Sequence, residues 1–193
     1  MAVRIWLVRH GLTALGEEKR YQGVLDTSLS DKGRASLRPA DFVPEHVYVS
    51  PAKRARETAK LLFPASRQIP VPGLWEMNFG AFEGRGWWEM EHDTDYRAWV
   101  DGGCEGRCPG GEEREAFTSR VCAAFYEIAE KEADSAELAL VAHGGTQMAL
   151  LERFGEPARP FYKWQRPCGC GWLLDWNAKD KRLLVLDEVD FTR

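Results

Sequence analysis

The chain begins with a short apolar run, Val3 to Val8, that stops on Arg9-His10-Gly11. The run is rich in β-branched and aromatic residues, which predicts a buried strand. In α/β proteins, ligands bind beyond the carboxyl ends of such strands. Arg9 and His10 are therefore predicted to lie at the edge of the sheet where chemistry takes place. Gly11 allows a tight turn and a close approach by a ligand.

A second apolar run repeats this arrangement later in the chain. Residues 137–142 read Glu-Leu-Ala-Leu-Val-Ala, and His143-Gly144-Gly145 follow them. Two parallel strands of one sheet that both end in this way would bring His10 and His143 into one pocket. Gly144 would then lie at the start of a helix, where backbone amides and the helix dipole favour an anion.

The other periodic segments alternate between strands and helices. Further strands are predicted at 46–49, 68–71, 171–176 and 182–186, the last two as a hairpin across 177–180. Helices are predicted from Ser30 to Pro39, from Ser50 through Leu62, from about Glu112 through Ile128, and from Gly144 to Phe154. This alternation predicts an α/β protein, a three-layer sandwich with a mostly parallel sheet between helices.

The junction after the predicted strand 46–49 resembles an anion site. Ser50 suits the N-cap of the next helix, and Pro51 suits its first helical position. Arg54 would then lie in the first helical turn, close to the carboxyl end of the strand. A cation beside a helix amino terminus favours a bound anion.

Length and composition fit one domain that spans residues 1–193. Residues 12–25 are predicted to form a loop. Residues 87–99 are predicted to be the helical part of an insertion, at about 85–111, that covers the site. The apolar fraction of 44% is ordinary for a globular protein. The net charge of −4 gives no reason to expect nucleic acid, so the anion site must be a local basic pocket within an acidic protein.

The chain shows no signal peptide and no apolar run of membrane-spanning length, so we expect a cytoplasmic protein that is not bound to a membrane. Five cysteines, an odd number, suit reduced thiols. Zinc at the pair Cys104 and Cys108, or at Cys168 and Cys170, is an alternative to free or structural thiols, although neither pair has the usual two-residue gap. His46 and His92 stand outside any motif and are interpreted as having no functional role.

The sequence Leu7-Val8-Arg9-His10-Gly11-Leu12-Thr13 resembles the signature of the histidine phosphatase superfamily, the phosphoglycerate-mutase-like group of branch 1. The resemblance extends from Leu7 to about Leu151. The other motifs of the family follow in order: Tyr21-Gln22-Gly23, Asp26 to Leu29, Ser50 to Ala59 with Arg54, Glu76 with Phe79-Gly80 and Glu83-Gly84, Pro109 to Glu112, and Val141 to Gly145. The resemblance implies a mixed sheet of about six strands.

The resemblance also implies the roles of the site residues. The catalysis that it implies needs neither a cofactor nor a metal. His10 would be the nucleophile that carries the phosphoryl group. Phosphate ligands would be Arg9, Arg54, His143 and Gly144, and the substrate loop would contain Gln22 and Gly23. Glu76 would be the general acid, with Glu83 structural. His143 is also counted among the catalytic residues.

Each of these residues also has an ordinary interpretation. A histidine at a strand end is often a core residue, and single arginines or glutamates are often surface charges. The order of the motifs favours the functional interpretation. Two positions depart from the family: Leu12 stands where an acidic residue is common, and Gly16 where an asparagine is frequent, so one supporting hydrogen bond of the phosphate pocket is in doubt.

Several short segments resemble the α-ribazole phosphatases of cobalamin synthesis, namely Tyr96 to Trp99, Pro109 to Glu112 and Cys168-Gly169. The resemblance thus implies a metal-independent phosphomonoester hydrolase, with α-ribazole 5'-phosphate as a candidate substrate, and we expect a monomer or homodimer. Alternatives are a broad sugar-phosphate or nucleotide phosphatase, a phosphoglycerate mutase, and an inactive relative that serves as a binding or scaffold protein. The tryptophans near residues 75–99 pack in the core or a lid, or else Trp87, Trp88 or Trp99 forms an aromatic wall for a substrate ring.

Overall fold

The structure is a computed structural model that describes residues 2–193. These residues form one mixed sheet in the order β3-β2-β4-β1-β6-β7-β5. Four of the strand pairs are parallel and two are antiparallel, so the sheet is mixed and mostly parallel as predicted. The strands are β1 (Val3–Arg9), β2 (His46–Val49), β3 (Arg67–Pro70), β4 (Glu137–Ala142), β5 (Gly155–Glu156), β6 (Cys170–Asn177) and β7 (Arg182–Asp190).

Helices cover both faces of this sheet and complete the three layers. Alternate residues of the central strands point to opposite faces, so Leu7 packs with the aromatic-rich core and Val8 with the smaller one on the other side. The large core contains residues of α5 and α6, and the small core contains residues of α3. The helices are α1 (Ala14–Glu17), α2 (Asp31–Ser36), α3 (Lys53–Leu62), α4 (Thr94–Asp101), α5 (Arg114–Lys131) and α6 (Gly144–Phe154). Short 3-10 turns lie at Pro72–Leu74, Gly80–Phe82, Trp87–Glu89 and Phe161–Trp164.

Several predicted boundaries need correction. Ser50 does not cap α3 and Pro51 does not open it, because the helix begins at Lys53 after Ala52. The predicted loop 12–25 contains the one-turn helix α1, because the Thr13 side chain accepts a hydrogen bond from Gly16 N and caps it.

Two further boundaries move for reasons of local pairing. Helix α2 ends at Ser36 rather than at Pro39, because Leu37 turns extended and pairs with Thr192. The sheet has seven strands, and β5 is one that the sequence did not predict. It consists of two residues that pair with β7 and follows directly after α6, so it has no strand pattern of its own.

The pairing of β1 with β4 fixes the position of the site. The two strands are parallel neighbours at the centre of the sheet, and Arg9 stands opposite Ala142. The next residue of each strand is a histidine, and His10 N donates to the Ala142 carbonyl at 2.9 Å. Both His-Gly sequences therefore leave the sheet at the same edge.

Candidate active site

His10 and His143 face each other at the carboxyl ends of β1 and β4. Their ring centroids are 5.2 Å apart, and the planes meet at 67°. Both side chains are buried. The prediction that the two strand ends bring two imidazoles together is confirmed by this geometry.

The hydrogen bond of His10 selects one of its two nitrogens for chemistry. Nδ1 lies 2.7 Å from the Gly11 carbonyl oxygen, which can only accept, so Nδ1 carries the proton and Nε2 keeps a free lone pair. Burial, and then the charges of Arg54 and Arg9, hold the pKa of His10 well below its usual value. The ring is therefore a neutral imidazole at physiological pH.

Arg54 is a buried cation in the first turn of α3. Its Nη1 donates to the Leu25 carbonyl at 2.9 Å, and its Nη2 donates to the Gly23 carbonyl at 2.8 Å. Burial lowers the pKa of the guanidinium, which still remains charged at neutral pH. Its buried Nε has no hydrogen-bond partner among residues 2–193, so a donor remains for an anion.

Arg9 provides a second fixed guanidinium. Its Nη1 donates to the Arg166 carbonyl at 2.9 Å, while its buried Nε has no partner within the described part of the chain. Gly144, the first residue of α6, lines the same cavity as Arg9. A forked cation and a helix amino terminus thus adjoin one space, as anion binding requires.

His143 is held in place by Ser50, whose position before Pro51 had predicted a helix cap. His143 Nε2 lies 2.7 Å from Ser50 Oγ, and Nδ1 is a buried atom without a partner in the described chain. Burial, and then the charge of Arg54, hold the pKa of His143 well below its usual value. In the sequence, Ser50 stands directly after the predicted strand 46–49, but the parallel pairing of β2 with β4 that brings it to His143 is visible only in the structure.

Glu76 lies on the same cavity as Arg9 and is only 8% exposed. Its Oε2 accepts from Gly145 N at 3.0 Å, and its Oε1 accepts from Met77 N at 3.0 Å. A Cβ at Gly145 would lie 2.1 Å from Oε1, so glycine permits this approach. Burial raises the pKa of Glu76 and outweighs the two amides and the charges of Arg54 and Arg9, which lower it.

Glu83 binds backbone amides. Its two carboxylate oxygens accept from the amides of Gly23, Val24 and Phe79 at 3.0–3.1 Å, and from Leu25 N at 3.4 Å. The same loop presents the two carbonyls that bind Arg54. Glu83 therefore shapes the loop that orients this cation.

Gln22 and Gly23 occupy different places. Gln22 lines the cavity, and its Oε1 accepts from the Thr13 hydroxyl at 2.7 Å. Gly23 is not among the cavity-lining residues: its amide donates to Glu83, and a Cβ would lie 1.9 Å from the Met77 carbonyl oxygen. At one departure from the family, Gly16 lines the cavity without a side chain, and its amide donates to the Thr13 hydroxyl oxygen at 3.0 Å.

The cavity has a volume of about 470 Å³. Arg9, Glu76 and Gly144 line part of it, whereas the buried His10, Arg54 and His143 are not among its lining residues. Aromatic side chains line much of the rest: Tyr21, Phe79, Trp87, Trp99, Phe117, Phe161 and Tyr162. The volume and the mixture of an aromatic wall with a few polar groups are those of a site for a small organic molecule.

No group of three or more His, Cys, Asp or Glu side chains is placed to hold a metal ion within residues 2–193. All five cysteines are free thiols, including the two pairs weighed as zinc ligands. No helix formed by these residues has the length and apolar character to cross a bilayer.

Residues 5–188 match the family described as the histidine phosphatase superfamily, branch 1. The chain belongs to this superfamily, and it is an enzyme of the phosphatase class. The adenosylcobalamin/alpha-ribazole phosphatase of Salmonella typhimurium is 32% identical, covering 92% of this chain and 90% of the relative. A 2,3-bisphosphoglycerate-dependent phosphoglycerate mutase 2 of Gloeobacter violaceus is 34% identical over 75% of this chain and 72% of its own. The crystal structure of the alpha-ribazole phosphatase from Shigella flexneri aligns with a TM-score of 0.81 at 27% identity, covering 95% of both chains.

Proposed function

We propose that this enzyme hydrolyses phosphomonoesters through a phosphohistidine at His10. The observation that carries the proposal is the state of the His10 ring. Its Nδ1 is engaged by the Gly11 carbonyl, and its pKa is lowered by burial and by two arginines. A neutral imidazole with a free Nε2 beside two guanidinium groups is a nucleophile matched to a phosphate dianion.

In the first step, His10 Nε2 attacks phosphorus, and the bond from phosphorus to the leaving oxygen breaks. Arg9, Arg54, His143 and the amide of Gly144 bind the phosphoryl oxygens. Each charge-assisted hydrogen bond contributes about 1.5–3 kcal/mol. The donors left over in the structure, Arg9 Nε and Arg54 Nε among the described residues, support this assignment.

Glu76 donates its proton to the leaving oxygen as an alcohol forms. Its raised pKa keeps the carboxyl protonated above the range of an ordinary glutamate. In the second step, water attacks the phosphohistidine while the Glu76 carboxylate takes a proton from that water. Inorganic phosphate leaves, and His10 and Glu76 return to their starting states.

The substrate proposed first is α-ribazole 5'-phosphate. The phosphatases from Salmonella typhimurium and Shigella flexneri carry α-ribazole in their names, and the cavity has an aromatic wall suited to the base of a ribonucleoside. The polar edges of that wall are satisfied elsewhere: the Tyr21 hydroxyl is 3.0 Å from that of Tyr96, and Trp99 Nε1 donates to the Gly106 carbonyl at 3.0 Å. The ring surface that stays open to a ligand includes that of Trp87 and Tyr162, which are 56% and 52% exposed.

We propose that residues 85–111 act as the cover of this cavity within one domain, since Trp87, Trp99 and Cys104 all line it. Trp87 is 56% exposed at the mouth, where an aromatic substrate group would cover it. A cytoplasmic location, with the enzyme as a monomer or homodimer, is proposed as well; the five free thiols support the location.

A substrate panel in EDTA tests the proposal. The value of kcat/KM should be highest for α-ribazole 5'-phosphate and lower for ribose 5-phosphate and for purine nucleotides. Activity should survive chelation, because the arginines supply the positive charge that a metal ion supplies in other phosphatases. Equal values across the panel would instead identify a broad phosphatase, and phosphoryl exchange between phosphoglycerates a mutase. Loss of activity on chelation with rescue by Zn²⁺ or Mg²⁺, or no turnover of any ester, would contradict the mechanism.

A matched pair of variants tests the aromatic wall. Trp87→Ala should raise KM for α-ribazole 5'-phosphate and leave KM for ribose 5-phosphate unchanged. Trp88→Ala is the control, because Trp88 is similarly exposed, at 41%, but does not line the cavity. Equal effects of the two variants would remove the wall from the substrate assignment.

A further inference from the structure

Glu76 lies in a segment without regular structure. Residues 75–79 separate two short 3-10 turns and form neither helix nor strand. A backbone of this kind has no ladder of hydrogen bonds to hold it, although a proton donor must be placed closely against its acceptor. Something outside the segment must therefore fix the position of residue 76.

Arg120, on α5, binds three backbone carbonyls within residues 73–76, where this segment begins. Its Nη1 donates to the carbonyls of Gly73 at 3.0 Å and Trp75 at 2.9 Å. Its Nη2 reaches the carbonyl of Glu76 itself at 3.4 Å. One guanidinium thus ties the approach to residue 76 onto the long helix.

Glu112 holds both Arg120 and the far side of the segment. Its Oε1 accepts from Arg120 Nε at 3.0 Å, and its Oε2 accepts from Arg120 Nη2 at 2.9 Å. The same Oε2 accepts from Asn78 N at 2.8 Å, and Glu112 N donates to the Asn78 carbonyl at 2.8 Å. The pair therefore forms hydrogen bonds with the backbone on both sides of Glu76.

The pair lies outside the main cavity. Glu112 and Arg120 line a second hollow of about 340 Å³ and are absent from the lining of the main cavity, whereas Glu76 lines both. The hydrogen bonds of the pair therefore connect to the site through the backbone that carries Glu76, and the charge of Arg120, which Arg120→Lys would keep, also contributes to the lowered pKa of His143.

We propose that Arg120 and Glu112 are positioning residues that set the distance between the Glu76 carboxyl and the leaving oxygen. The inference rests on the proposed role of Glu76 as general acid. A displaced acid harms only those substrates whose leaving group needs its proton. The pair therefore controls the enzyme's ability to cleave alkyl phosphates rather than its phosphate binding or its nucleophile.

The test compares ribose 5-phosphate, an alkyl ester that needs the proton, with p-nitrophenyl phosphate, which needs it little. Arg120→Met should lower kcat for ribose 5-phosphate by ~10-fold or more relative to kcat for p-nitrophenyl phosphate, since small misplacements of catalytic groups have effects of this size. The KM for both esters should change little. Arg120→Lys keeps the charge but cannot form the fork, so it should shift the ratio in the same direction, and it carries the test if Arg120→Met does not fold.

Arg153→Met is the matched control. Arg153 Nη2 also binds a glutamate of α5, Glu115, at 2.8 Å, but this pair does not contact residues 73–78. Its loss should leave the ratio of the two kcat values unchanged. In a Glu76→Gln background, Arg120→Met should add nothing to the change in ratio, because both act through one group.

Two results would overturn the inference in distinguishable ways. If Glu76→Gln changes the ratio but a folded Arg120 variant slows both esters equally, the pair is only structural and the acid assignment stands. If Glu76→Gln itself leaves the ratio unchanged, the acid assignment and this inference both fail.

Discussion

At the scale of single residues, burial shifts the pKa values of two groups in opposite directions, each toward the neutral form of the group. It lowers the pKa of His10, which would gain a positive charge, and raises the pKa of Glu76, which would gain a negative one. The two shifts therefore widen the pH range in which the proposed nucleophile is neutral and the proposed acid is protonated. Two titratable groups pushed in opposite directions are a common basis for assigning base and acid roles.

The role of Glu76 is testable through the leaving group. Glu76→Gln should lower kcat by ~10²–10⁴ for ribose 5-phosphate, because loss of a general acid has effects of this size. It should lower kcat much less for p-nitrophenyl phosphate, whose leaving group departs without a proton. Equal slowing of both esters would mean that Glu76 only shapes the pocket.

The pH profile of the same pair of enzymes gives the sign of the pKa shift. Because the pKa of Glu76 is raised, the wild-type enzyme should keep its activity toward ribose 5-phosphate above the ordinary range of a glutamate and lose it as pH rises through the shifted pKa. Because the pKa of His10 is lowered, protonation of the nucleophile should reduce kcat/KM only well below the usual range of histidine. The Glu76→Gln variant should not show this fall in activity at high pH. If the variant still shows it, the fall must be assigned to the titration of another group.

At the scale of elements, the meeting of His10 and His143 could be predicted from two strands that end alike. The bond from His143 to Ser50 could not, because it depends on the register of β2 against β4, and Ser50 also carries a plausible local signal for a helix cap. The contact of Ser50 with His143 outweighed the local preference of Ser50 for a helix cap. The contacts of Arg120 could not be predicted either, because the periodicity of α5 does not indicate which backbone segment packs against this helix.

The loop that orients Arg54 makes its own prediction. Glu83→Gln should lower the free energy of unfolding by about 2 kcal/mol or more, since an amide cannot accept from four backbone donors and each bond to a charged acceptor contributes ~1.5–3 kcal/mol. It should slow both phosphate esters equally, because the carbonyls of Gly23 and Leu25 would no longer hold Arg54. Chemical denaturation and the two-ester assay measure these effects, with exposed Glu127→Gln as the control. A leaving-group dependence in Glu83→Gln would show that the acid had been misassigned.

At the scale of the whole molecule, the alternation of strands and helices was enough to predict a three-layer α/β sandwich. The order of strands and the short β5 beside β7 were not predictable, since they depend on which surfaces pack after the chain turns back. The same limit applies to the cavity. Its aromatic residues come from distant segments, from Tyr21 to Tyr162, and only the fold brings them together.

The central claim is that His10 carries the phosphoryl group, and trapping it is the most direct test. The enzyme is mixed with an ester labelled in its phosphate, quenched in alkali within the first turnover, and digested for peptide mapping. The account predicts label on His10 alone, no label in His10→Ala, and a fall in kcat of at least ~10³ in that variant. Label on any other residue, or His10→Ala activity close to that of the wild type, would contradict it.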